Sequence, residues 1–475
     1  MSEMLLLLVV LIPLIGAIFT ATAKHTQNYA TNNVYNVVVW VLLANISLIL
    51  YIFSLIDTSK TGIQLVEKYN WLEILPIDFL LGADVFSLLL LLGINLSFLI
   101  AGFSLKKYTD DSKLLPTSEL LFIGLLNGYM LASDIISFYI FFAAVSIPLI
   151  VLISNYGKQY KKNILVRFSL YNLIGALLLL CAIIIMYNSK SGNIPLNTAG
   201  NLHLRKTVEY FVWMSLFIAF MSRMPIWPFH YWISSINSTL RNPIVFIIGN
   251  LIPLVGLYGF MRFWPNTVAE SIAIYAPLFD VICIFTMLFI ALVSLSHKEF
   301  RYKIFAYTTV YYLIYLIGVL LPTSGLKMNI GYSLFSYVII ITVLSFTLSH
   351  IEKEQKRLDL YSLKGILCRM PRASICLSLF ILAGIGLPVT PLFWNNFIII
   401  SEIFNYNLTL GILVILAMFL VGLALLEELY LLKDKSSAPH ILSETKDLPE
   451  TEFFVYVGCL IILFFSFFKP LWFVF

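Results

Sequence analysis

Apolar runs of roughly twenty residues, divided by short polar stretches, fill the chain from one end to the other. A run of that length lets a helix cross about 30 Å of hydrocarbon. Fourteen such segments can be drawn, at 4–23, 34–56, 85–105, 117–133, 135–155, 164–187, 208–224, 243–262, 272–296, 303–322, 328–350, 373–401, 408–432 and 452–473. Only Ser133 and Asp134 divide the fourth from the fifth. The first run begins beside Glu3 rather than a basic cluster, so it reads as a spanning helix and not as a leader peptide. The pattern predicts an all-α polytopic membrane protein of about fourteen transmembrane helices.

Composition points the same way. The 475 residues are 60% hydrophobic and 12% charged, with a mean hydropathy of +0.93. A soluble domain carries about 25% charged residues. Lipid is the solvent that makes such a chain reasonable, and one continuous helical domain is expected. The net charge of +5 is not gathered into a basic tract with interleaved aromatics, so no nucleic-acid partner is expected. Cys181, Cys283, Cys368, Cys376 and Cys459 form no Cys-x-x-Cys and no Cys/His cluster. No metal or iron–sulfur site and no disulfide framework is expected in this chain.

Lysine and arginine orient the helices. With the N-terminus outside and loops assigned alternately, twenty basic residues fall in inside loops, among them Lys106, Lys107, Lys158, Lys298, Arg301, Lys303 and Lys433. Seven fall outside, including Lys60, Lys68, Arg262 and Lys327. That bias follows the positive-inside rule and predicts both termini outside.

Two segments carry the same interruption. Pro225-Ile226-Trp227-Pro228 follows the seventh, and Pro388-Val389-Thr390-Pro391 lies in the twelfth. Each proline removes a backbone donor and clashes with the preceding turn, so both helices should open. In lipid, the freed groups must face protein or a wet cavity. If helices four to eight and nine to thirteen are grouped, the broken helix is the fourth of five in each. Five is odd, so the second group is expected to sit inverted. The organisation expected is three helices over 1–116, a first five-helix repeat over 117–262, an inverted second repeat over 263–432, and a loop with a last helix over 433–475. Paired inverted repeats with discontinuous helices point to a transporter-like machine.

Several stretches resemble the antiporter-like membrane subunits of respiratory NADH-quinone oxidoreductase, which are shared with multisubunit Na+/H+ antiporters. Arg223-Met224-Pro225-Ile226-Trp227-Pro228-Phe229-His230-Tyr231-Trp232 is similar to that family's KMPxxPxHxW. Gly82-Ala83-Asp84-Val85-Phe86-Ser87 is similar to G-x-D-x-x-S, which resembles the M type among these subunits. Ser133-Asp134 with Phe138-Tyr139-Ile140-Phe141 and Ile147-Pro148, Gly256-Leu257-Tyr258-Gly259 with Arg262, Ala306-Tyr307-Thr308-Thr309 and Gly386-Leu387-Pro388 follow in the family's order.

The resemblance implies a membrane-arm subunit without a cofactor of its own, partnered by other membrane subunits and by lipid, and moving protons or Na+. It also implies ionisable groups on the fifth, seventh, eighth and twelfth helices. Here those positions fall on Ala143, Arg223, about Leu254 and Asn396. Arginine does not release its proton in a protein, whereas a buried lysine can. The remaining pathway candidates are Asp84, Asp280 and His230, with Arg223 and Asn396 as polar members of the axis. Arg167 is expected to snorkel to the inner surface, and Glu402, Glu427 and Glu428 to be solvated at interfaces. The stretch from His297 to Arg301 is expected to be an inner-surface loop. Three readings follow: a non-catalytic subunit of a proton-translocating NADH-quinone oxidoreductase, a D-subunit-like part of a cation/proton antiporter, or a scaffold that has lost conduction. The expected location is a bacterial inner membrane, with the mitochondrial inner membrane as the alternative.

Overall fold

The computed structural model describes residues 4–23, 30–60, 62–72, 77–105, 113–157, 161–190, 194–196, 205–263, 269–321, 324–355, 365–388, 390–433 and 446–467. In chain order, the helices are α1 Leu5–Thr22, α2 Ala30–Leu55, α3 Val85–Leu105, α4 Leu114–Leu131, α5 Ile135–Ala144, α6 Ile147–Tyr156, α7 Lys161–Lys190, α8 Lys206–Met221 and α9 Tyr231–Thr239. They continue with α10 Pro243–Phe263, α11 Ala269–Ser296, α12 Phe300–Leu320, α13 Lys327–Gln355, α14 Ile366–Arg369, α15 Pro371–Ile385, α16 Pro391–Tyr406, α17 Leu408–Lys433 and α18 Glu450–Phe467. Within the described residues, every apolar segment drawn from the sequence coincides with one helix or with a pair of helical pieces; 468–473 of the last segment lie outside the described residues, as do the loop lysines Lys106, Lys107 and Lys158. Among the described residues, eleven helices are by themselves long and apolar enough to cross a membrane.

Both predicted breaks are present. α8 ends at Met221 and α9 begins at Tyr231, with Pro225 and Pro228 between them. α15 ends at Ile385, and Pro391 opens α16. Gly386 terminates α15 with φ +98°, a conformation that only glycine adopts without strain. A third interruption was not expected. The fifth segment is split at Val145–Ser146, just ahead of Pro148 in the first turn of α6, because that proline offers no N–H to the carbonyl four residues back.

The all-α expectation needs one addition. β1 Leu65–Leu72 and β2 Ile77–Ala83 form an antiparallel hairpin between α2 and α3. The hairpin is sewn to the bundle. Ser133 N–H donates to the Leu80 carbonyl at 2.9 Å. Asp134 caps α5 through Ile136 and Ser137 N–H and also accepts from Leu80 N–H at 3.0 Å. Glu67 accepts from Leu6 and Leu7 N–H at 2.8 and 3.1 Å, which satisfies orphan donors at the start of α1.

Packing falls into three groups. α1 packs on α2 and α4, and α2 on α3. A buried amide ladder threads this group: Asn45 donates to Asn95 at 2.8 Å, Asn95 to Asn127 at 3.2 Å, and Asn127 to the Val9 carbonyl at 3.1 Å. In the next group, α4 packs on α6 and α10, α7 on α8 and α9, and α9 on α10. In the last, α11 packs on α12 and α17, α13 on α15 and α16, and α16 on α17. The second and third groups therefore share one neighbour scheme. α10, α12 and α13 form the centre, where nearly every residue is buried.

Candidate ion-translocation site

Arg223 sits at the α8 break, fully buried. Its Nη2 donates to the Phe142 carbonyl at 2.8 Å, and its guanidinium lies 4.3 Å over the Phe142 ring. Phe142 precedes the interruption between α5 and α6, and Ala143 follows it in the chain. The cation therefore meets a backbone carbonyl and an aromatic face where the family resemblance implies a carboxylate. Nε and Nη1 of Arg223 have no partner among the described residues. A buried donor without a partner is unfavourable by about 1–3 kcal/mol, more for a charged group, so these nitrogens mark a place that calls for water. Leu254 lies fully buried on α10 and adds no polar atom.

His230 forms the N-terminal boundary of α9 and is half-buried, with Nδ1 unpartnered among the described residues. Asp280 lies buried on α11 and has no hydrogen bond or ion pair among the described residues. Asn396 is buried on α16 and accepts from Ser333 Oγ at 3.1 Å. Tyr315 lies beside this pair.

Asp84 is the best-tied of the predicted residues. It meets Arg262 in a two-pronged ion pair at 2.8 and 2.9 Å, and Lys327 stands 3.7 Å away. Arg262 also donates to the Tyr258 hydroxyl at 2.7 Å. Tyr258 in turn bonds the Met130 carbonyl and stacks on Phe86 at 5.8 Å. Asp84 thus joins the ends of α3, α10 and α13 on the hairpin side. Arg262 and Lys327, placed in loops by the sequence reading, belong to the last turn of α10 and the first turn of α13.

Three groups escaped the sequence reading. Lys303, assigned to a loop, lies fully buried in the first turn of α12, 2.7 Å from Glu427 and 2.6 Å from Glu428. Glu428 is fully buried, so its expected interfacial solvation is corrected, while Glu427 is 49% exposed. Arg301, expected on a surface loop, is buried. It binds Glu352 through two bonds of 2.7 Å and the Leu240 carbonyl at 3.0 Å. Glu119 is fully buried on α4, and neither carboxyl oxygen has a partner among the described residues. A lone acid inside an apolar run was the available signal for Glu119. Arg167 is exposed, 5.5 Å over the Tyr231 ring, and Glu402 is half-exposed.

The arrangement is a polytopic membrane bundle with two helices opened at P-x-x-P and polar groups held beside each opening. Residues 132–422 match the family described as NADH:quinone oxidoreductase/Mrp antiporter, transmembrane. The chain belongs to that family. It is 26% identical over 439 residues to NADH-quinone oxidoreductase subunit M of Rickettsia felis, covering 89% of this chain and 86% of that one. It is 26% identical over 379 residues to NADH-ubiquinone oxidoreductase chain 4 of Acanthamoeba castellanii, covering 78% and 73%. Its fold matches a chain of respiratory complex I from Thermus thermophilus with a TM-score of 0.86 at 21% identity, covering 98% and 96%. A chain of an archaeal membrane-bound sulfane sulfur reductase matches with 0.83 at 17% identity, covering 98% and 94%.

Proposed function

We propose that this chain is an antiporter-like subunit in the membrane arm of a proton-translocating NADH-quinone oxidoreductase, with no catalytic or cofactor site of its own. The observation that carries the reading is the pair of proline-opened helices. α8–α9 and α15–α16 occupy the same place in two groups of helices with one neighbour scheme. Five spans in each group make the second an inverted copy of the first, and the opened members face each other's half of the membrane. The relatives named as subunit M and chain 4, matched over most of their length, favour this complex over a cation antiporter. Its partners are then the neighbouring membrane subunits and lipid, and its ion is the proton. The basic residues gather on the inner side, and the termini lie outside a bacterial inner membrane.

Arg223 acts as a fixed positive charge in this reading. It repels cations and steadies negative charge near the first opening, but it does not carry a proton. With Ala143 and Leu254 apolar, the first repeat has little with which to relay one. That depletion favours a second reading, in which conduction by the first repeat is lost while its scaffold is kept. The test is NADH-driven acidification of inverted membrane vesicles. Removing the chain and restoring it should abolish and restore the pH gradient. A gradient indifferent to the chain would refute the proposal.

A further inference from the structure

α12 carries one stripe of polar side chains at four-residue spacing: Lys303, Tyr307, Tyr311 and Tyr315. Residues four apart share a helix face, and at about 1.5 Å per residue this stripe runs about 18 Å. All four side chains are buried. Phenylalanine would fill the same space without the need of a hydroxyl partner, so three tyrosines in line need an explanation. The Tyr307 and Tyr315 hydroxyls have no partner among the described residues. The Tyr311 hydroxyl donates to the Gly384 and Ile385 carbonyls at 3.1 and 3.3 Å, the last carbonyls before the α15 break. Tyr307 and Tyr311 rings lie 4.5 Å apart, and Tyr311 and Tyr315 rings 6.3 Å apart.

One end of the stripe meets carboxylates and the other meets neutral polar groups. At one end, Lys303 Nζ touches the half-exposed Glu427 and the buried Glu428. At the other, Tyr315 lies beside Ser333 and Asn396. From Ser333, α13 leads back to Lys327, about 9 Å away along the helix axis. Lys327 is partly exposed and stands next to Asp84. The polar groups together span nearly the thickness of a hydrocarbon layer, about 30 Å.

We propose that this face of α12, from Lys303 through Tyr307, Tyr311 and Tyr315 to Ser333 and Asn396, is the proton path of this chain, loaded at Lys303 from Glu427. The path rests on the translocation reading above and places the translocation in the second repeat. Lys303 gives a proton to the hydroxyl or water beside it and takes a replacement from Glu427, which recovers its own from bulk water. The charge of the cluster returns to its starting value. Along the stripe, each hydroxyl accepts one proton as it releases another to the next water or hydroxyl. Only O–H and N–H bonds form and break, and nothing is oxidised or reduced. Water between the hydroxyls completes the file, and the unpartnered Tyr307 and Tyr315 oxygens supply its hydrogen bonds.

The test uses the intact complex, purified with this chain and reconstituted into liposomes, with proton uptake and NADH oxidation recorded together. Tyr311→Phe/Tyr315→Phe keeps the rings and removes two hydroxyls. Lys303→Arg keeps the charge facing Glu427 and Glu428 but cannot release a proton. Both variants should lose this chain's share of the proton-to-electron ratio, taken per NADH oxidised so that a change in turnover does not enter the reading. Tyr456→Phe, a buried tyrosine on α18 that bonds Ser104, should match the parent. If the double variant does not assemble, Tyr315→Phe alone reads the same ratio. A parental ratio in the tyrosine variants overturns the path. A parent complex that oxidises NADH and moves no protons overturns the functional reading instead.

Discussion

Replacing Asp84 by Asn should destabilise the bundle strongly through one identifiable interaction. The side chains of Asp84 and Arg262 are only 6% and 7% exposed, and they meet through two bonds of 2.8 and 2.9 Å. Removing one partner of a buried pair leaves the other charge uncompensated, which is unfavourable by about 3–5 kcal/mol. Here Lys327 adds a second cation beside Arg262, placing the loss toward the upper end of that range. Asn can still accept from Ser87 N–H, now bonded to Asp84 Oδ1 at 2.8 Å, so Asp84→Asn spares the α3 cap. Asp84→Ala removes the cap as well and should lose about 1 kcal/mol more. Arg262→Gln combined with Asp84→Asn removes both charges, so the double variant should lose less than the two single losses together. The assay is the thermal midpoint of the purified protein in detergent, followed by size-exclusion recovery. Additive losses, or an Asp84→Asn midpoint equal to the parent, would show that the two charges do not stabilise the fold as a pair.

The same pair sets a pH dependence. Burial alone would raise the Asp84 carboxyl, but Arg262 and then Lys327 bring it below the usual carboxylate range. A carboxyl depressed in the folded state stabilises above its unfolded value of about 3.9 and loses that contribution as pH falls through the folded value. The gap between parent and Asp84→Asn midpoints should therefore be constant from neutral pH down to mildly acidic pH. Arg223→Met should change the midpoint little, because two guanidinium nitrogens lack partners and replacing a poorly paired buried charge with an apolar chain is often neutral; a loss as large as that of Asp84→Asn would count against this. Glu119→Gln should leave assembly at or above the parental level, since neither carboxyl oxygen has a partner among the described residues; failure to accumulate in membranes would show a missed interaction. Gly386→Ala should lose about 1 kcal/mol or more of stability and so lower the midpoint, because alanine is strained at φ +98°; an unchanged midpoint would mean that the α15 end rearranges freely.

The helices and both proline breaks were legible because hydropathy and P-x-x-P are local signals. Asp84 and Arg262 were each visible in a motif, yet their pairing joins residues 178 positions apart, and no local pattern announces it. Lys303 failed for the same reason. Read alone, it extends a basic loop, and its partners Glu427 and Glu428 lie more than a hundred residues downstream. The hairpin was hidden by its setting. Tyr69, Trp71, Ile77 and Phe79 are good strand formers, but a scan for spanning helices treats the stretch between α2 and α3 as a connection. The split between α5 and α6 had a signal in Pro148 that a long apolar run outweighed. The tyrosine stripe was open to a reader who counted in fours along α12.

Purification of the tagged chain from native membranes, with the co-purifying subunits identified by mass spectrometry and NADH–quinone activity assayed in the same fraction, is the sharpest check on its membership of an NADH-quinone oxidoreductase. Flavin- and iron–sulfur-bearing peripheral subunits should be recovered together with that activity. Recovery with small cation-antiporter subunits, or with no NADH-oxidising partner, would contradict it.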